Sequence, residues 1–268
     1  MSRAVRVTTR NASFQQWQAL LTNRTKRHRA REFLVHGVRP ISLAVDHGWE
    51  IRDLIYPDRQ SLSSWAREML ERSGARPVAM APELVAELAG KESAELIAVV
   101  GLPEQPPLPS PDDPHLLVVI FDRPTTPGNI GTLIRSADAF GAAAVVVTGH
   151  AADPYDPKSV RASTGSIFAL PVIHADAPED VLPLFPGVQL VGTDEHGAVD
   201  VADHDLTGPT ALLIGNETSG LSAAWKSAAD VLVRIPITGA ASSLNAATAA
   251  TVVLYEANRQ RSRSGRTI

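Results

Sequence analysis

Apolar residues recur along this chain in two rhythms. Short runs dense in Val, Leu and Ile occur at 116–121, 143–148, 188–193, 210–215 and 231–235. They alternate little with polar residues, as expected of parallel strands covered on both faces. Segments with helical spacing lie between them at about 130–140, 157–163, 178–185 and 220–228. A last one runs from about 244 to 260. This βα alternation predicts a doubly wound parallel sheet.

The first hundred residues follow a looser pattern. Strands are predicted at Phe33-Leu34-Val35, 51–56, 77–80 and 96–101, and helices at 38–47, 61–72 and 82–89. In 61–72 the residues Leu62, Trp65, Ala66, Met69 and Leu70 share one helical face. The two halves meet at 103–114, where six prolines in twelve residues exclude a helix or a central strand. Four segments follow from this: a basic N-terminal arm (1–30), a small α/β domain (31–102), a proline-rich linker (103–114) and a larger α/β domain (115–268).

Composition narrows the chemistry. The chain has 268 residues, 44% of them hydrophobic, enough for two ordinary cores. It has no cysteine, which removes disulfides, zinc–thiolate sites and thiol nucleophiles. No apolar run reaches the length of a membrane span and the N-terminus lacks a secretory apolar stretch, so a cytoplasmic protein is expected. Asp194-Glu195-His196 and Asp203-His204-Asp205 lack metal-ligand spacing, and no metal is expected. The net charge of −4 conceals an asymmetry. Residues 1–31 carry eight Arg or Lys and no acid, and 258–268 carry four Arg and no acid. The middle therefore holds 25 − 12 = 13 basic against 29 acidic residues. Basic ends on an acidic body point to a polyanionic partner, with nucleic acid phosphate the natural choice. Phe14 and Trp17 interleave with the N-terminal charge.

In an open α/β sheet, ligands sit outside the carboxyl ends of the strands. Three segments fall there. They are Asn129-Ile130-Gly131-Thr132-Leu133-Ile134-Arg135-Ser136-Ala137, Leu212-Leu213-Ile214-Gly215-Asn216-Glu217-Thr218-Ser219-Gly220-Leu221, and Arg234-Ile235-Pro236-Ile237 followed by Ser243-Leu244-Asn245-Ala246-Ala247-Thr248. Neither the dinucleotide fingerprint nor a P-loop is present, so a cofactor held by its pyrophosphate is not expected. In order and spacing the three segments resemble the motifs of the SpoU (TrmH-like) RNA ribose methyltransferases, a superfamily with a trefoil knot. The segment Phe33-Leu34-Val35-His36-Gly37-Val38-Arg39 resembles the opening of the L30e-like domain found ahead of many SpoU catalytic domains, with His36 where the family usually has Glu. Phe14 to Leu20, Gly37 to Leu43 and Ala240-Ala241-Ser242-Ser243 are similar to the avilamycin-resistance ribose methyltransferase group.

The resemblance implies a parallel-sheet, knotted methyltransferase domain behind a smaller L30e-like RNA-binding domain. It implies transfer of a methyl group from S-adenosylmethionine to a ribose 2′-hydroxyl of structured RNA, most naturally 23S rRNA, at a uridine if the resistance group applies. Arg135, Asn129, Glu217, Ser243 and Asn245 would form the reaction centre. Gly192, Thr193, Ile214, Gly215, Ile235, Pro236 and Leu244 would clasp the cofactor, which needs no phosphate cradle. Arg24, Lys26, Arg27, Arg29, Arg39, Lys158 and Arg161 would contact RNA. Asn216 departs from the Ser common in the family. The last helix would form a homodimer interface, its run of small residues at 246–251 allowing close packing.

Plainer readings exist for single residues. Arg135 has Asp138 three residues on as an ion-pair partner, Ser243 is a candidate helix cap, and Glu217 suits a helix start. Two other functions stand beside the ribose methyltransferase: a tRNA methyltransferase acting on ribose or base, and a catalytically silent RNA-binding assembly factor.

Overall fold

A computed structural model describes residues 4–90 and 94–264. Two compact units divide the chain: 1–105 with 155–169, and 106–154 with 170–268. The proline-rich stretch 103–114 forms neither helix nor strand, and the division falls inside it.

The first unit opens with β1 (Val5–Val7), α1 (Ala12–Thr22), α2 (Arg24–Ala30), β2 (Glu32–His36) and α3 (Val38–Asp46). It continues through β3 (Ile51–Pro57), α4 (Ser64–Arg72), β4 (Arg76–Met80), α5 (Pro82–Ala89) and β5 (Ile97–Gly101). Its sheet runs β1-β4-β3-β5-β2. β1, β4 and β3 are parallel, whereas β5 is antiparallel to both β3 and β2. The expected basic arm is not an arm over the described residues. Asn11 caps α1 by accepting the Phe14 N–H at 3.0 Å, and Phe14, Trp17 and Leu20 recur on one helical face and are buried in the core. Their apolar area is worth more inside than beside phosphate. Arg3 and Arg266, counted among the terminal cations, lie outside the described residues.

The second unit begins with β6 (Leu117–Asp122), α6 (Pro127–Ala139) and β7 (Ala144–Thr148). The chain then contributes α7 (Pro157–Ser163) and α8 (Ser166–Ala169) to the first unit. There Phe168 stacks 6.1 Å from Phe33, and the Trp49 indole N–H donates to the Phe168 carbonyl at 3.0 Å. The second unit resumes with β8 (Val172–Ala175), α9 (Pro178–Val181), β9 (Gln189–Thr193) and β10 (Val199–Asp200). It ends with β11 (Thr210–Ile214), α10 (Ala223–Ala228), β12 (Val231–Arg234) and α11 (Ala246–Arg263).

The seven strands of this second sheet run β10-β12-β9-β11-β6-β7-β8, and every pairing is parallel. All residues of β6, β7 and β11 are buried, which is why their sequences lack alternation. The chain leaves β6 to one side for β7 and β8, then returns on the other side for β9, β11 and β12. That reversal opens a crevice at the carboxyl ends of the central strands. α11 then packs back on α6, where Ser136 and Thr251 share a hydrogen bond of 2.7 Å. Arg261, buried near its end, donates to the carbonyls of Leu206, His115, Leu116 and Gly208.

Candidate active site

Three loops meet at the carboxyl ends of β6, β11 and β12, and a continuous polar chain joins them. Asn245 caps α11, its side-chain oxygen accepting the N–H groups of Ala247 and Thr248 at 3.0 and 3.2 Å. Its amide nitrogen donates to Asn129 Oδ1 at 3.1 Å. The Asn129 amide nitrogen in turn donates to Glu217 Oε1 at 3.0 Å. Glu217 also accepts the backbone N–H groups of Thr125 and Thr126, each at 3.0 Å, and the Thr125 hydroxyl at 3.1 Å. The order of donors and acceptors fixes both amide orientations: helix N–H to Asn245, Asn245 to Asn129, Asn129 to the carboxylate. Partial burial acts to raise the Glu217 pKa, but the hydrogen bonds from Thr125, Asn129 and Thr126 outweigh it and hold the carboxyl below its ordinary value.

The loop bearing Glu217 is closed on itself. Asn216 and Gly220 exchange backbone hydrogen bonds at 3.0 and 3.1 Å. A side chain at Gly215 would run into the backbone of Gly220 and Leu221, so the turn can tighten only around glycine. The Asn216 side-chain oxygen accepts the N–H groups of Thr218 and Ser219, while its amide nitrogen donates to the Arg123 carbonyl at 2.6 Å. The departure from Ser at this position thus carries its own set of bonds.

The residues expected to clasp a cofactor fall on three neighbouring strand ends. Gly192 and Thr193 close β9, Ile214 and Gly215 close β11, and Ile235 and Pro236 follow β12. The register places Leu213 and Leu232 on either side of Gly192. A Cβ at Gly192 would sit 2.6 Å from the Leu232 side chain. Leu244 and Ile237, on the connection between β12 and α11, are 37% and 39% exposed. Apolar side chains beside strand-end backbone groups suit an adenosine moiety.

Of the expected reaction-centre residues, the fold brings Asn129, Glu217 and Asn245 into direct contact. Arg135 is exposed on α6, about 9 Å further along the helix axis than Asn129 at 1.5 Å per residue. It makes no ion pair with Asp138 among the described residues. Ser243 is exposed in the connection before α11 and stands outside the polar chain; the helix cap is Asn245. Glu217 sits not at the start of a helix of its own but before α6, accepting the N–H groups of Thr125 and of the α6 cap residue Thr126.

Arg24, Lys26, Arg29, Arg39, Lys158 and Arg161 are exposed on the first unit. Lys26 and Arg29, with Gln15, Gln16 and Ala19, line a groove of about 560 Å³ between α1 and α2. Arg27 must be corrected. It is 2% exposed, donates to the Leu20 carbonyl at 2.8 Å and pairs with Asp156 at 3.3 Å. A guanidinium spent on internal acceptors is withheld from RNA. Among the expected C-terminal cations, Arg261 is internal in the same way and Arg259 pairs with Glu256 at 2.6 Å.

Four further residues belong to the site without having been marked by the sequence pattern: Asp122, Arg123, Thr125 and Thr126. An acid directly after the apolar run 117–121 was the one available sign. The threonines contribute chiefly backbone N–H groups, which no side-chain pattern can reveal.

Residues 116–255 match the SpoU rRNA Methylase family, and residues 11–98 match the SpoU L30e-like domain. The chain is 57% identical to the 23S rRNA (uridine(2479)-2′-O)-methyltransferase of Streptomyces viridochromogenes, over 98% of this chain and 95% of that one. It is 29% identical to the 23S rRNA (guanosine(2553)-2′-O)-methyltransferase RlmP of Bacillus subtilis, over 92% and 96%. The structure of the SpoU methyltransferase AviRb from S. viridochromogenes in complex with AdoMet superposes with a TM-score of 0.88 at 56% identity, covering 96% of this chain and all of that one. An AdoMet-bound rRNA methyltransferase from Sinorhizobium meliloti superposes with a TM-score of 0.85 at 30% identity, covering 96% and 98%. The motifs, the sheet they terminate and these likenesses agree, and the chain belongs to the SpoU rRNA methylase family.

Proposed function

We propose that this chain is an S-adenosylmethionine-dependent 2′-O-ribose methyltransferase acting on a uridine of 23S rRNA. The observation that carries this reading is the chain Asn245–Asn129–Glu217, assembled where three strand ends converge. A binding protein needs no such fixed amide–carboxylate relay. The uridine and 23S rRNA named for the S. viridochromogenes relative support the substrate.

When bound, S-adenosylmethionine would supply an electrophilic methyl group on a sulfonium, so neither a metal nor a covalent enzyme intermediate is required. Backbone groups at Gly192, Thr193, Ile214, Gly215, Ile235 and Pro236, with the Leu244 side chain, would hold its adenosine. Arg135 would orient the ribose 2′-hydroxyl and a neighbouring phosphate. A guanidinium is a poor general base because it stays protonated, so its part is positional and electrostatic, supplying orientation that a bimolecular encounter lacks. The Asn129–Glu217–Asn245 chain would keep the facing loops in register, with Ser243 closing on the substrate side. Arg24, Lys26, Arg29, Arg39, Lys158 and Arg161 would neutralise RNA phosphates from the L30e-like unit.

We further read the domain as knotted and the working form as a cytoplasmic homodimer. Val252 and Tyr255 are exposed apolar residues on α11, and Phe140 meets Tyr255 edge-on at 6.0 Å. A chain sedimenting as a monomer at micromolar concentration would exclude the dimer.

Incubation of 23S rRNA with the chain and S-adenosylmethionine should leave one alkali-resistant phosphodiester, 3′ to a uridine. Arg135→Ala should abolish it while cofactor binding by calorimetry persists. Uniform alkaline cleavage with the wild-type chain rejects the ribose reading, and a methylated base found by mass would replace it.

A further inference from the structure

Arg123 occupies a strained place. Its φ of 51° puts a non-glycine residue in the left-handed region immediately after β6. Adjacent residues in a strand point to opposite faces, so an Asp–Arg pair at consecutive positions does not ordinarily meet. Here the left-handed turn swings Arg123 back, and its Nε and Nη2 each lie 3.1 Å from the two oxygens of Asp122. Asp122 is 2% exposed and also accepts the Ser222 N–H at 2.7 Å.

The same residue grips the 216–220 turn from both ends. Its carbonyl accepts the Asn216 amide at 2.6 Å, and its Nη2 donates to the Gly220 carbonyl at 3.3 Å. Its own N–H donates to the Thr148 carbonyl at 3.0 Å, tying the grip to β7. Only the buried Pro124 separates Arg123 from Thr125, whose N–H holds Glu217.

We propose that Arg123 is a positioning residue for methyl transfer: it clamps the mouth of the 216–220 turn and thereby sets Glu217 against Asn129. The inference rests on the proposed transferase activity. The left-handed backbone is retained because the side chain it redirects locks two catalytic loops together.

The test compares wild type with Arg123→Gly, which removes the clamp and relieves the backbone strain, and with Arg123→Lys, which keeps charge but loses the two-point grip on Asp122. Because Arg123→Gly leaves a buried carboxylate unpaired, Asp122→Asn combined with Arg123→Gly serves as the folded control. In both glycine variants kcat should fall about tenfold or more, with the RNA KM unchanged within about twofold. Arg123→Lys should be intermediate. The Glu217 carboxyl, followed by carbon-detected NMR, should titrate at higher pH in the glycine variants, a change that general destabilisation does not produce. Unaltered kcat and an unaltered Glu217 midpoint in the folded double variant would overturn the proposal. A wild-type chain that transfers no methyl group sinks the enzyme reading instead, and the Glu217 midpoint still decides whether Arg123 holds the turn.

Discussion

Glu217 sits half in solvent, yet its carboxyl is drawn below its usual range by N–H groups from Thr125 and Thr126 and by the Asn129 amide. A group whose folded pKa is depressed stabilises the fold when ionised. That contribution is complete above the unfolded value of about 4.3 and disappears as pH falls through the folded value. NMR titration should therefore find a Glu217 midpoint under about 4.3, and a midpoint at or above it would contradict the geometry. Replacing Glu217 by Gln puts a neutral amide in front of three N–H donors. Charge-assisted bonds of this kind are worth roughly 1.5–3 kcal/mol. If that loss falls on the transition state, kcat/KM should drop roughly ten- to a hundredfold. The resemblance to the SpoU motifs implied that Asn129, Glu217 and Asn245 share one reaction centre; the N–H groups that hold Glu217 were hidden, because backbone donors leave no trace in residue type.

Helix α11 depends on one residue for two tasks. Asn245 caps its N-terminus through the side-chain oxygen and reaches Asn129 through the amide nitrogen. The two tasks separate by substitution. Asn245→Asp keeps the capping oxygen but loses the donor, and brings a second carboxylate toward the site. It should melt close to wild type and transfer methyl groups poorly. Asn245→Ala loses both, and removing such a cap costs about 1 kcal/mol, a fall of roughly 2–4 °C in Tm for a unit of this size. Equal melting temperatures for the two variants, or full activity in the Asp form, would refute the division. Helices with an apolar stripe were readable from residue 38 onward, whereas α1, striped by Phe14, Trp17 and Leu20, reads in sequence as part of a basic arm. α2 was not readable, because Arg24-Thr25-Lys26-Arg27-His28-Arg29-Ala30 has no apolar face to detect. β8 was missed because it is four residues long, lies at the sheet edge and carries His174 exposed.

For the molecule as a whole, charge and burial decide which cations are open to a polyanionic partner. Lys26→Ala with Arg29→Ala should weaken rRNA binding and lower the salt slope by about two, since each phosphate contact releases about one counterion. Arg27→Ala should leave that slope unchanged and lower Tm instead, because it strips the part-buried Asp156 and the Leu20 carbonyl of their partner. A slope that responds to Arg27 but ignores Lys26 and Arg29 would overturn this assignment. From sequence alone came the parallel strand series, the three motifs and the family, because apolar runs and motif spacing are local properties that a linear reading preserves. Tertiary structure decided the rest: that Phe14, Trp17 and Arg27 are core, that Arg123 turns back on Asp122, and that Asn245 meets Asn129. Those contacts join residues between one and more than a hundred positions apart, and whether a charged or aromatic side chain faces water or core is set by what folds over it.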